Sequence, residues 1–163
     1  GDLETENDAE RIRAQGVDAV QIATRSACHL DAHMVQDALH RLDLDQVDLL
    51  FIENVGNLVC PAEFNVGEDF KAMILSVTEG DDKPAKYPLM FHESKALLIN
   101  KIDLLPYVDC SIEKIKEEIR NRKEESGYLF YHFCFLFSKM NIQQSKFPQG
   151  ITKIWSFVPE FFI

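Results

Sequence analysis

Two polar loops of this 163-residue chain contain residue types that bind soft metal ions. Cys28 and His29 are adjacent and have polar neighbours, and Cys60 closes a later loop. A thiolate beside an imidazole is a ligand pair that suits Zn²⁺ or Ni²⁺. Provided that the two loops meet at one edge of a sheet, the sequence predicts a metal site formed by Cys28, His29 and Cys60.

Two other interpretations of these cysteines remain open. A cysteine is often a small buried hydrophobic residue, and Cys110 and Cys134 are interpreted in this way. Alternatively, Cys60 would be the nucleophile of an unrelated α/β enzyme, but the sequence offers no evident base partner for it.

A second chemically specific group is the sequence Asn-Lys-Ile-Asp at residues 100–103, directly after the apolar run Ala96–Asn100. The Asp103 carboxylate can accept hydrogen bonds from both N1–H and the 2-amino group of guanine. The Lys101 stem would pack along the base and Asn100 would brace the loop. The pattern therefore predicts a guanine-binding loop, and the alternative is an ordinary polar exit from a strand.

Glu53 and Gly56 follow the apolar run Leu49–Ile52. An acidic residue at a strand end can hold Mg²⁺ directly or through water, and a glycine amide can contact a γ-phosphate. These two residues are therefore candidates for sensing the γ-phosphate. The phosphate-cradling pattern GxxxxGK followed by Ser or Thr does not occur in the sequence, so no residue is assigned to the β-phosphate.

The elements that must position these residues alternate between strands and helices. Such alternation predicts a parallel sheet with right-handed crossovers, and ligands bind outside the carboxyl ends of its strands. The Leu49–Ile52 strand is expected to be buried on both faces because it is continuously apolar. The other predicted strands are Val17–Ala23, Lys71–Thr78 and Ala96–Asn100, and the predicted helices are Glu6–Gln15, Ala32–Leu42 with Asp31 as N-cap, and Cys110–Glu125.

Composition narrows the function classes. The net charge of −10 argues against nucleic-acid binding as the main function, since such proteins gather positive charge. Four cysteines without CxxC spacing, and no secretory leader, favour a cytoplasmic setting. Apolar runs fall short of the roughly 18–20 residues of a membrane helix, so no membrane partner is expected. Aromatic residues concentrate after Ser126, where Tyr128–Phe137 is interpreted as one buried strand.

Four segments together resemble the HypB family of hydrogenase nickel-incorporation GTPases, which are SIMIBI-class P-loop proteins. The resemblance runs from residue 1 to about residue 122 and implies an α/β fold: an incomplete P-loop NTPase with a mostly parallel sheet flanked by helices. The segments are Cys-His-Leu-Asp-Ala-His at 28–33, Phe-Ile-Glu-Asn-Val-Gly-Asn-Leu-Val-Cys-Pro at 51–61, Ser-Val-Thr-Glu-Gly-Asp-Asp-Lys at 76–83 and Asn-Lys-Ile-Asp-Leu at 100–104.

The resemblance implies GTP hydrolysis coupled to nickel insertion during [NiFe]-hydrogenase maturation. GTP or GDP, Mg²⁺, and Ni²⁺ or Zn²⁺ are the implied ligands, and the implied partners are a second copy, other maturation proteins and the hydrogenase large subunit. Family members bind the metal at their dimer interface. Carried over by position, the metal ligands are Cys28, His29 and Cys60, the γ-phosphate and Mg²⁺ region is Glu53 and Gly56, the guanine-binding residues are Asn100, Lys101 and Asp103, and Asp2 is a Mg²⁺-side or switch residue.

The chain departs from the family pattern at both ends. The first strand, the phosphate loop and its helix are expected before Gly1. After about Arg122 the family continues with a strand, a Ser-Ala-x-x-Gly-type loop and a helix, but here the aromatic segment follows. We therefore divide the chain into a partial GTPase domain, 1–122, and a divergent segment, 123–163, and hypothesise a shifted reading frame near Lys123.

These departures lower the expected GTPase activity, because positioning and charge stabilisation of the phosphates supply most of the catalysis. Metal binding is expected to persist, since all three ligands are present. The alternative function is accordingly a nickel- or zinc-binding remnant that acts independently of nucleotide.

Overall fold

The computed structural model describes residues 6–123, 135–136 and 153–159. In chain order the elements are α1 (Asn7–Arg13), α2 (Ala32–Leu39), β1 (Leu49–Glu53), α3 (Cys60–Glu63), β2 (Phe70–Ser76), α4 (Lys83–Lys86), α5 (Pro88–Glu93), β3 (Ala96–Asn100), α6 (Ile112–Lys123), β4 (Phe135–Leu136) and β5 (Lys153–Pro159). Three short 3₁₀ helices, Leu44–Gln46, Val77–Glu79 and Ile102–Tyr107, join them. From β1 to β4, one or two α-helices separate each strand from the next, which agrees with the predicted alternation of strands and helices.

The strands form one sheet in the order β1-β5-β2-β3-β4, and all four pairings are parallel. Strand β5 lies between β1 and β2, although it is the last strand in the sequence. Glu53 is in register with Phe157, and Ser76 with Asn100. The carboxyl ends of β1, β2 and β3 therefore lie along one edge, which confirms the predicted parallel α/β fold.

Two apolar clusters pack around this sheet. Strand β2 is deeply buried, since Met73 and Leu75 have no exposed surface. Their cluster packs β2 against α3, α5 and α6 and includes Leu58, Ala62, Met90, Phe91, Ile115 and Ile119. The second cluster joins β1 to α2 and the loop before it, through Leu30, Val35, Ile52 and Val66.

Capping explains where several elements begin and end. The Asp31 side chain accepts a hydrogen bond from Met34 N at 2.8 Å, which confirms it as the N-cap of α2. Gly16, with φ +80°, follows α1 and adopts the left-handed conformation that favours glycine after a helix. Among the described residues, no helix combines the length and the apolar character needed to cross a bilayer.

Two expectations about strands were wrong. Residues 17–23 form only a single bridge at Ala23 and no strand. A strand needs a neighbour to satisfy its backbone, and β5 is the one partner of β1 in the described sheet. Strand β1 lies at the edge of the described sheet and is not buried on both faces. Ile52 is buried but its neighbour Phe51 is 56% exposed, and adjacent residues of a strand point to opposite faces.

Most of the predicted Tyr128–Phe137 strand lies outside the described residues. Strand β4 is the part of it that the structure describes. The division at residue 122 stays a prediction. Strand β5 belongs to the later segment and nevertheless pairs with β1 and β2.

Candidate metal and nucleotide site

The structure brings the three predicted metal ligands together. Cys28 and His29 lie in the loop before α2, and Cys60 is the first residue of α3. The Cys28 and Cys60 sulfurs are 2.8 Å apart, and Cys28 Sγ lies 3.6 Å from His29 Nδ1. All three ligand atoms fall within 4.8 Å of one another.

The chemistry of this donor set fits a soft divalent cation. With metal–sulfur bonds of about 2.3 Å, two sulfurs of a tetrahedral site are roughly 3.7 Å apart. The two thiols would therefore separate by about 1 Å on binding. Cys28 is exposed while His29 and Cys60 are half-buried, so an ion can enter from solvent. Three protein ligands leave a further coordination position open.

The protonation of Cys28 depends on its neighbour in the cluster. The hydrogen bond with the Cys60 thiol raises the pKa of Cys28 above its ordinary value, and partial desolvation adds to the effect. Without a cation Cys28 therefore favours its neutral thiol. Because thiolates are the ligands, metal binding must release protons from this pair.

Two asparagines that the sequence analysis did not single out connect the ligand loops. The side-chain oxygen of buried Asn54 accepts hydrogen bonds from Leu30 N at 2.9 Å and Val55 N at 2.8 Å. Asn57 donates to Cys28 O at 3.3 Å and accepts from Val59 N at 2.9 Å. The Cys28 loop is thus tied to the loop that leads to Cys60. The only sequence feature that could have indicated this role for Asn54 and Asn57 is their position between the predicted site residues Glu53 and Cys60.

An aromatic contact fixes the plane of the histidine ring. The His29 and Phe64 rings are stacked, with centroids 4.0 Å apart and planes 15° from parallel. Phe64 directly follows α3, so the same short helix presents a ligand and supports a second one.

The predicted guanine-binding residues lie at the carboxyl end of β3. Asn100 Oδ1 accepts a hydrogen bond from Lys101 N at 2.8 Å, which braces the turn. Lys101 has φ 57° and ψ 35°, a left-handed conformation that costs a non-glycine residue on the order of 1–3 kcal/mol. Asp103 is exposed in the 3₁₀ helix that follows. Strain of this kind concentrates at functional loops.

Glu53 ends β1 on the same edge of the sheet, and half-buried Gly56 lies in the loop between Glu53 and Cys60. Strands β5 and β2 separate β1 from β3, and the pairing register places Glu53 level with Ala72 and Ala96, four residues before Asn100. Glu53 and Asn100 are therefore roughly 20 Å apart, at about 4.8 Å per strand and about 3.3 Å per residue. At the end of β2, between them, the hydroxyl oxygens of Ser76 and Thr78 are 2.8 Å apart. Asp2 lies outside the described residues.

Fold and site together define a class of protein, a parallel α/β domain with a soft-metal ligand cluster beside the carboxyl edge of its sheet. A sequence profile described as CobW/HypB/UreG, nucleotide-binding domain, matches residues 1–129. The chain therefore belongs to the CobW/HypB/UreG family, which confirms the resemblance found in the sequence.

Curated relatives support the same assignment. The chain is 64% identical over 113 residues to the hydrogenase maturation factor HypB of Azotobacter vinelandii, covering 69% of this chain and 37% of the relative. It is 59% identical over 114 residues to the Escherichia coli K12 factor of the same name, covering 70% and 39%. The chain thus spans about two fifths of the length of these relatives.

Solved structures agree on the fold. A crystal structure of HypB from Helicobacter pylori in complex with nickel matches with a TM-score of 0.74 and 37% identity, covering 96% of this chain and 63% of that one. HypB from Archaeoglobus fulgidus matches with a TM-score of 0.68 and 39% identity, covering 81% and 64%. The sheet and helices of this chain are therefore those of the HypB P-loop GTPases.

Proposed function

We propose that this chain is the nickel-handling and guanine-binding part of a hydrogenase maturation GTPase, and that it couples GTP hydrolysis to nickel insertion. The observation that carries the proposal is the ligand cluster, in which Cys28, His29 and Cys60 place three ligand atoms within 4.8 Å. The nickel complex of the Helicobacter pylori relative supports nickel as the cargo.

Nucleotide would bind along the carboxyl edge of the sheet. The base would lie against Asn100, Lys101 and Asp103, and the γ-phosphate and Mg²⁺ would lie toward Glu53 and Gly56. Asp2 stays a proposed Mg²⁺-side or switch residue.

Coupling follows from sequence proximity. Hydrolysis converts GTP and water into GDP and phosphate, so contacts to the γ-phosphate are lost. A loop that changes position when Gly56 loses its contact also moves Cys60, which lies four residues later. Metal affinity would then differ between the two nucleotide states, and nickel would be released in one of them.

The partners are part of the same proposal. A second copy of the chain would complete the coordination of the metal, because the three ligands of one copy leave a coordination position open. Zn²⁺ would compete with Ni²⁺ for a site of two thiolates and one imidazole. Other maturation proteins and the hydrogenase large subunit are the proposed source and recipient of the nickel.

One observation favours a second candidate function, nucleotide-independent binding of nickel or zinc. The sequence contains no GxxxxGK followed by Ser or Thr, so these 163 residues offer no assigned donors to the β-phosphate. Hydrolysis by this chain alone is therefore expected to be slow.

Calorimetric titration with Ni²⁺ and Zn²⁺, with and without GDP, tests these functions. The proposed function predicts binding that shifts with GDP, whereas binding that ignores GDP would favour the second candidate. Cys28→Ala is expected to weaken nickel binding about 10-fold or more, because one of three ligands is lost.

Cys110→Ala is the matched control, since Cys110 is a free cysteine outside the ligand cluster. It is expected to bind nickel like the unmodified chain. Equal affinities for the unmodified chain and the Cys28→Ala variant would contradict the assignment of the ligands.

A further inference from the structure

A buried ion pair lies directly after the segment that carries Cys60. Lys71, near the start of β2, has its Nζ 3.3 Å from Glu68 Oε1, and the two side chains are 10% and 5% exposed. Removing two charges from water is costly unless each is well satisfied by its surroundings. The contacts of Lys71 therefore indicate what the pair holds in place.

The ammonium group of Lys71 is shared among three acceptors. It donates to Pro61 O at 2.8 Å and approaches Phe64 O at 3.4 Å, in addition to Glu68. Both carbonyls belong to α3 and the residue after it, and the last carbonyls of a helix have no intrahelical partner. Lys71 thus caps the carboxyl end of this four-residue helix.

Glu68, the other member of the ion pair, also holds the backbone of the loop between α3 and β2. Its Oε2 accepts a hydrogen bond from Val66 N at 2.9 Å. The chain from Pro61 to Glu68 is therefore folded around one buried ammonium group, and its shape depends on that charge.

Two parts of the metal site are carried by this segment. Cys60 is the first residue of α3, and Phe64, whose ring is stacked on His29, directly follows its last residue. A helix of four residues has too few internal hydrogen bonds to hold its own position. Displacing the Lys71 ammonium would therefore release a ligand and the support of another ligand together.

We propose that Lys71, paired with Glu68, is a positioning residue of the metal site. It acts through α3, which it fixes so that Cys60 and the Phe64–His29 stack meet Cys28. This inference rests on the proposed metal-binding function. According to this inference, a buried lysine that is not itself a ligand aligns two of the three metal ligands, Cys60 and His29.

The decisive variant is Lys71→Met in the full chain, titrated with nickel chloride by calorimetry and by nickel–thiolate charge-transfer absorption. Nickel affinity is expected to fall about 10- to 100-fold, as for other residues that orient metal ligands, with a changed absorption spectrum. Lys71→Arg keeps the charge and is expected to retain part of the affinity.

The double variant Lys71→Met/Glu68→Gln keeps the test valid if the single variant folds poorly. It leaves no unpaired buried charge, and the amide oxygen introduced at position 68 can still accept from Val66 N. The double variant is expected to fold and still to bind nickel weakly. Nickel affinity and a spectrum like those of the unmodified chain would overturn the inference.

Ile99→Ala is the stability control, because Ile99 is buried in β3 and belongs to neither apolar cluster, including the one that packs α3. It is expected to unfold more easily but to bind nickel normally, and an equal loss of nickel affinity would overturn the positioning role. If the unmodified chain fails to bind nickel, the proposed function fails and the inference with it. Normal binding by the unmodified chain and by the Lys71→Met variant overturns the inference alone.

Discussion

The single residue with the sharpest predicted specificity is Asp103. Its carboxylate would accept two hydrogen bonds from guanine, and hydrogen bonds to charged groups contribute about 1.5–3 kcal/mol. Asp103→Asn places an amide donor against the guanine donors, so GDP affinity is expected to fall about 10- to 100-fold. Xanthine carries a carbonyl where guanine has its 2-amino group, so affinity for xanthosine diphosphate is expected to rise.

Calorimetric titration with GDP and with xanthosine diphosphate measures this change in nucleotide preference. Asp109→Asn, which changes an exposed aspartate outside the 100–103 motif, is the matched control and should leave both affinities unchanged. An Asp103→Asn variant that binds GDP as tightly as the unmodified chain would contradict the guanine assignment.

For single residues, the sequence was sufficient to predict a functional role where the residue type itself determines the chemistry. Cys28, His29 and Cys60 could be selected because thiols and an imidazole in polar loops are distinctive, and the structure places them together. Asn54 and Lys71 could not be selected, because their roles arise from contacts with Leu30 and Pro61, which are distant in the sequence. An asparagine or a lysine is too common to indicate such a contact.

Among the elements, α6 is joined to the loop after β2 by Asp81. Its carboxylate accepts hydrogen bonds from Lys114 Nζ at 2.7 Å and from Ser111 N at 3.0 Å. The hydrogen bond from Lys114 is the main cause that lowers the pKa of Asp81 below its ordinary value. Because the pKa of Asp81 is lowered in the folded state, its carboxylate stabilises the fold at pH values above the ordinary aspartate pKa. This stabilisation is lost as the pH falls through the lowered pKa of the folded state.

Asp81→Asn is therefore expected to lower the urea midpoint at neutral pH, and the difference from the unmodified chain should shrink toward zero in acid. Urea unfolding at a series of pH values measures this difference in midpoint. Asp37→Asn, on the exposed face of α2, is the control and should show no such trend. A difference that stays constant with pH would show that the carboxylate charge contributes nothing.

Element prediction succeeded where local signals were complete. The Asp31 cap and the apolar residues after it define α2, and the apolar run of β3 ends at its polar motif, as predicted. Residues 17–23 have a similar apolar run but form no strand, because a strand also requires a partner. Pairing is a tertiary property, so the pattern of this segment could not reveal its absence.

For the whole molecule, the decisive feature is the central position of β5. Without β5, β1 would lose its one partner in the described sheet, and β2 would lose one of two. Truncation after Thr152 is expected to abolish cooperative urea unfolding and to cause aggregation through the exposed edges. Truncation after Pro159, which retains β5, is the matched control.

Circular dichroism during urea unfolding, together with size-exclusion chromatography, distinguishes the two truncated chains. Ser156→Pro tests the same point within the intact length, because proline removes a backbone donor from a central strand. A monomeric chain ending at Thr152 with an unchanged urea midpoint would show that β5 is dispensable. Sequence pattern offered no basis for placing β5, since its partners β1 and β2 lie far upstream.

The position of β5 also determines when this protein can fold. Leu49 pairs with Lys153, about 100 residues later, and contacts of such long sequence separation slow folding. During synthesis β1 and β2 emerge early and must wait, with open edges, until residue 159 has left the ribosome. The nascent chain is therefore expected to depend on chaperones that cover unpaired strands, and its yield should fall when translation is slowed, because the open edges then stay exposed for longer.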